Sequence, residues 1–167
     1  TKIALSTRIN VLKLKEDPKD WEALKAYVHS IVPDNIAGPK FYLSICFQIA
    51  DYDNPVYAKS AFTEANKIGN YNRVYSILTR HNKELGLTVE QQVEVLNNYL
   101  LSGYIKKNPA RALVAVKLYV SIIPNIDPVK AKAGLNKLNR TYSPYLIQDK
   151  AAWEPVVALI RTALETY

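Results

Sequence analysis

The amino-acid sequence predicts an all-α fold, an αα-hairpin repeat superhelix of solenoid type built from eight to nine short antiparallel helices. Three observations carry that expectation. Helix-start signals recur about every 18 residues, the apolar residues between them keep helical spacing, and glycine is scarce, at five in 167 residues. No alternating apolar and polar stretch of useful length competes, so strands are not expected.

A short polar residue caps a helix, and proline is best tolerated at the first helical position. Asp17-Pro18, Asn54-Pro55, Asn108-Pro109, Asp127-Pro128 and Ser143-Pro144 therefore read as helix starts. Weaker starts fill the gaps: Asp34-Asn35 ahead of Gly38-Pro39, Asn70 with Asn72, and Thr88, which can form a capping box with Gln91.

Behind each start runs an apolar stripe at the spacing of an amphipathic helix. Trp21, Leu24, Val28 and Ile31 form the first, and Tyr42, Ile45, Cys46 and Ile49 the second. Ala58, Ala61, Phe62 and Ala65 follow, then Tyr71, Val74, Tyr75 and Leu78. Beyond them lie Val93, Leu96 and Leu100, then Leu113, Val116, Val120 and Ile123. Ala131, Leu135 and Leu138 come next, and Trp153, Val156, Val157 and Ile160 close the series. Helices joined by short turns run antiparallel, and a hairpin period near 37 residues marks a helical solenoid. Each hairpin then leaves an apolar face that only the next can cover. Segment 108–123 is apolar nearly all round, as expected of a helix sandwiched between neighbours. Ala58, Ala61, Ala112, Ala115, Ala131 and Ala133 would let helix axes approach closely. Residues 1–167 read as one helical-repeat domain, and an irregular helical bundle is the competing architecture.

Residues 96–108 contain Leu100-x-x-Gly103-Tyr104-x-Lys106, and 115–119 read Ala-Val-Lys-Leu-Tyr. The first resembles the first helix of a pentatricopeptide repeat and the second is similar to its second helix. The chain thus resembles the tetratricopeptide and pentatricopeptide superfamily over about 50 residues. That resemblance implies stacked αα hairpins. In the pentatricopeptide branch it also implies selection of RNA bases by a polar residue early in the first helix and another at the end of the repeat. Asn98 matches the first of these positions, while about three extra residues between Lys106 and Ala115 leave the second unassigned. The tetratricopeptide branch, with its protein-binding scaffolds, accommodates Asp127-Pro-x-x-Ala131 and the alanines equally well.

Charge is concentrated. The net charge is +7, and residues 95–148 alone hold eight cations against the single acid Asp127. The cations are Lys106, Lys107, Arg111, Lys117, Lys130, Lys132, Lys137 and Arg140, with Tyr99, Tyr104, Tyr119, Tyr142 and Tyr145 interspersed. Such a surface attracts an anionic partner. Tyrosines packed between helices with a solvated cationic face would suit an acidic protein, whereas tyrosines open to bases would make an RNA groove.

Catalytic constellations are missing where they would be easiest to see. The sequence has no phosphate loop, no Gly-x-Gly-x-x-Gly, no His-Glu-x-x-His and no cysteine pair. His29 and His81 are its only histidines. The carboxylates Asp17, Asp20, Asp51 and Asp53 sit at helix ends, where they serve as caps. Asn139-Arg140-Thr141 fits a glycosylation sequon in a chain without a secretory signature. No enzyme activity, cofactor, metal or small-molecule substrate is expected.

The longest apolar run, 112–123, is broken by Lys117 and Ser121, so no membrane span is expected. A lone cysteine, Cys46, fits a reducing intracellular compartment. Methionine is absent, which fits a processed or trimmed chain. The basic, hydroxylated residues 1–15 read either as an ordinary first helix or as the remnant of a mitochondrial matrix-targeting segment. The functional expectation is a scaffold or adaptor that binds acidic protein subunits within a larger assembly, and organellar RNA binding through 95–148 is its alternative. Candidate partner-binding residues are Asn98, Tyr99, Lys106, Lys107, Arg111, Lys130, Lys132, Lys137 and Arg140.

Overall fold

Short polar side chains and prolines set the helix starts in the structure, a computed structural model that describes residues 55–167, with side chains from residue 58 onward. The starts expected at Asp17, Asp34 and Asn35, the two stripes from Trp21 and Tyr42, Cys46, His29, the carboxylates at 17, 20, 51 and 53, and segment 1–15 lie outside the described residues. Within them are six helices of 12 to 15 residues and no strand. The chain divides into two compact units between Gly86 and Leu87.

In the first unit, α1 (Pro55–Lys67) begins on its proline, and α2 (Tyr71–Leu85) is capped by Asn70, whose side chain accepts from the Arg73 amide at 3.2 Å. The two helices pack against each other. Ala58, Ala61 and Ala65 are fully or almost fully buried, as are Val74, Ile77 and Leu78 on α2. Helix α2 kinks at the buried His81 (φ −129°, ψ 34°) and stops at Gly86, whose φ of +60° is a left-handed conformation that favours glycine.

The second unit opens with α3 (Val89–Leu100). Thr88 and Gln91 close the expected capping box: the Thr88 amide donates to Gln91 Oε1 at 2.9 Å, and the Gln91 amide donates to Thr88 Oγ1 at 3.2 Å. A one-turn 3-10 helix, Ile105–Lys107, leads to α4 (Pro109–Ile122). A second 3-10 turn, Ile123–Asn125, precedes α5 (Pro128–Tyr142). Asn108 and Asp127 cap α4 and α5 through the amides of Arg111 and Lys130, and a proline occupies the first position of both helices. Both were legible as Asn-Pro and Asp-Pro.

Ser143-Pro144 behaves differently. It starts only the short turn Tyr145–Gln148, and the final helix, α6 (Lys150–Leu164), is capped instead by Asp149, which accepts from the Ala152 amide at 3.1 Å. A proline fixes its own φ but does not ensure that a helix follows. Caps at Asn70, Thr88, Asn108, Asp127 and Asp149 fall 18 to 22 residues apart.

Two packing expectations need correction. The buried stripe of α4 is Ala112, Ala115, Val116 and Tyr119, continued by Ile123, and Leu113 and Val120 are only half-buried. A helix apolar on most sides carries little periodic signal to fix which face turns inward. Val114, 60% exposed, shows that α4 is not enclosed all round. On α5, Ala131 is buried but Ala133 is exposed, and the position that needs a small residue is Gly134, against the Tyr119 side chain.

Helix α3 packs on α4, and α6 packs on both α4 and α5. The Tyr142 hydroxyl, at the end of α5, donates to the Leu100 carbonyl at the end of α3. That carbonyl belongs to the last turn of its helix, which has no partners within the helix, so the phenol satisfies a group that burial would otherwise strand. Tyr99, Tyr119 and Tyr142 are all at most 1% exposed and form the heart of this unit with Leu96, Leu135 and Leu138.

Candidate protein-binding surface

The cations of 95–148 fall into separate groups once the chain is folded. On α5, Ala131, Leu135, Leu138 and Tyr142 turn inward, which leaves Lys130, Lys137 and Arg140 as an exposed stripe at helical spacing on the opposite face. Lys132 is also exposed but lies to the side, where its Nζ donates to the Tyr167 carbonyl oxygen at 3.0 Å. The one acid of the region, Asp127, has its Oδ1 engaged as the α5 cap. None of the eight cations forms a salt bridge with a carboxylate among the described residues.

Lys106 and Lys107 lie elsewhere, on the 3-10 turn after α3. With Gly103 they form one side of a cleft of about 490 Å³ that opens to solvent, and Tyr145, Gln148 and Trp153 line the rest. No acidic residue lines it, and the α5 stripe does not reach it. The aromatic side of the cleft is a cluster. Trp153 stacks on Tyr145 (centroids 4.9 Å apart, planes at 25°) and on Tyr142 (5.4 Å, 28°), and is 5% exposed. Tyr145 is half-buried and tilted against Tyr142 at 6.2 Å.

Arg111 lies over the ring of the half-exposed Tyr104, 5.4 Å from its centroid, a cation–π contact. Asn98 is half-buried on α3 and does not line the cleft. Tyr99, expected on the binding surface, is instead 1% exposed and belongs to the core, since its position places it beside Leu96 and Leu100 on the inward face of α3. Burial pushes its phenol above the ordinary tyrosine value while the charge of Arg111 pulls it down. Burial likewise raises the Tyr119 phenol, with the nearby Asn97 side chain pulling it down, and raises that of Tyr142 further, with Tyr145 and Tyr99 adding to the effect. At neutral pH all three are uncharged core groups.

Trp153 and Gln148 were not among the candidates. Trp153 reads as core, which its burial bears out, and only folding brings it to a cleft shared with residues more than 40 positions earlier. Gln148 carried no sequence signal. Among the described residues no three histidine, cysteine, aspartate or glutamate side chains cluster as metal ligands, and no helix is long and apolar enough to cross a membrane. Comparison of the chain with protein-family models, with curated proteins and with solved structures finds no match in any of the three.

Proposed function

We propose that this protein is a non-catalytic adaptor of stacked αα hairpins whose second unit presents cations without carboxylate partners to an acidic protein partner within a larger assembly. The observation that carries this reading is the disposition of charge: seven of the eight cations of 95–148 are exposed, and the region's only carboxylate is occupied as a helix cap. Cations left without carboxylates contribute little to folding and are free to steer an anionic partner. The hairpin reading is supported by the pairing of α3 with α4 and of α5 with α6, and by the packing of α6 on α4. The likeness of 96–108 to a pentatricopeptide first helix adds nothing to it, because α3 ends at Leu100 and Gly103, Tyr104 and Lys106 fall in the turn and 3-10 segment that follow.

RNA is the competing partner. Base stacking needs exposed rings, and three of the five tyrosines among the cations are core residues, which leaves Tyr104 and Tyr145. Native purification of the protein with its bound partner, followed by nuclease treatment, separates the readings. A protein partner that survives nuclease and carries an acidic surface is the expected result; a complex that dissolves with nuclease overturns the proposal.

A further inference from the structure

The cleft beside Lys106 and Lys107 differs from the rest of the cationic surface in having both a charged side and an aromatic side. Its volume of about 490 Å³ lies within the range of sites that enclose a ligand or an anchoring side chain. We infer that this cleft receives an acidic segment of a partner protein that carries an aromatic residue, the ring seated against Tyr145 beside Trp153 and the flanking carboxylates reaching Lys106 and Lys107. This rests on the adaptor reading above and names the chemistry of what it binds.

Three features select that occupant. First, charge complementarity: two adjacent lysines face a cleft that no acid lines, and neither lysine has a carboxylate partner among the described residues. A compact ammonium head meets a single carboxylate as a point charge and needs no bidentate geometry. Second, Trp153 is poorly suited to a base. Trp153 lies against both Tyr142 and Tyr145 and is 5% exposed, so little of its surface is left for stacking on a base. The half-buried Tyr145 beside it can pack against a partner ring in the tilted or edge-to-face arrangement that protein aromatic side chains adopt. Third, the rim suits a polypeptide backbone. The exposed Gln148 amide can both donate and accept, and at Gly103 a side chain would meet nothing within 4 Å, so a passing chain has room.

The chain has two tryptophans, so its indole N–H groups give two nuclear magnetic resonance signals, and Trp153→Phe assigns the one that reports on the cleft. The full chain is titrated with a short capped peptide of phenylalanine flanked by aspartate and glutamate, and separately with adenosine monophosphate and oligouridine. The expected result is a shift of the Trp153 signal with peptide alone. Affinity should fall by about tenfold or more in Lys106→Glu/Lys107→Glu, as like charge replaces attraction. Gly103→Leu, which fills the mouth of the cleft without altering its charge, should abolish the response. Peptide binding that depends on Lys130, Lys137 and Arg140 but not on these variants overturns the cleft assignment and leaves the adaptor reading standing. A Trp153 response to nucleotide or oligouridine without one to peptide overturns both. No response to any of the three ligands overturns the cleft assignment alone, since the native complex tests the adaptor reading independently.

Discussion

The Tyr119 hydroxyl occupies the space that a side chain at Gly134 would need. A Cβ built at Gly134 overlaps that hydroxyl and would lie 3.4 Å from the ring carbon bearing it. The glycine therefore makes room on α5 for the fully buried phenol that reaches it from α4, with the Asn97 amide close by. Gly134→Ala should destabilise the protein by about 1–3 kcal/mol, the usual cost of overpacking, although alanine is the better helix former. Removing the hydroxyl should relieve the clash. Tyr119→Phe combined with Gly134→Ala is expected to recover most of the loss, because the nearest remaining atom is then at a separation only slightly short of ordinary contact. Chemical denaturation of the two single variants and the double gives the coupling directly, and additive losses would show that the contact is not what requires glycine.

The bond from Tyr142 to the Leu100 carbonyl makes a second prediction. Tyr142→Phe keeps the ring and its stacking on Trp153 but leaves a buried carbonyl without a partner, a cost of roughly 1–3 kcal/mol. The near-ultraviolet signal of the aromatic cluster should survive while the denaturation midpoint falls. An unchanged midpoint would mean that water takes over the carbonyl.

The same tyrosines set the alkaline limit of stability. Tyr99, Tyr119 and Tyr142 all have phenols raised above 10.0 by burial. For a phenol the charged form is the deprotonated one, so above pH 10 the unfolded chain loses these protons first and binds fewer than the native state. The stability they contribute is fully present below pH 10 and is lost as pH rises from there through the raised native values. Each group still protonated only in the native state adds a slope of about −1.4 kcal/mol per pH unit. Unfolding followed from pH 8 to 12 should show this decline, and Tyr142→Phe should make it shallower.

How much of this was legible follows from which signals are local. Thr88 with Gln91, Asn108-Pro109 and Asp127-Pro128 were readable because capping is decided within four residues. Ser143-Pro144 misled because the same local chemistry also starts a single turn, and Asp149, the cap that matters, had no proline behind it. The face of α4 was misread because Leu113 and Val120 are as apolar as the residues that turn inward, and only its neighbours decide the rotation. The cleft was half visible. Lys106 and Lys107 stood out by charge, whereas Trp153 and Gln148 reach it through tertiary packing that no local pattern records.

Caps allow a direct comparison. Asp149→Ala should cost about 0.5–2 kcal/mol, because it removes the side chain that accepts from the Ala152 amide at the start of α6, the helix that packs on both α4 and α5. Ser143→Ala should cost less, since the Ser143 hydroxyl bonds only side chains, Asn139 and Arg161, and caps no helix amide. Thermal unfolding of the two variants ranks them, and a larger loss at Ser143 would mean that the short turn, and not Asp149, anchors the final helix.

Charge reversal on the α5 stripe tests what the exposed cations do. In Lys130→Glu/Lys137→Glu/Arg140→Glu no carboxylate partner is lost, because none is present among the described residues, so stability should change by no more than about 0.5 kcal/mol per site. Association with the native acidic partner should respond strongly. Steering by an exposed surface acts on encounter, so the association rate should fall and lose much of its salt dependence, while the dissociation rate moves far less. A variant whose dissociation quickens as much as its association slows would place these three side chains in the desolvated centre of the interface, and a variant with unchanged rates would remove the stripe from the interface altogether.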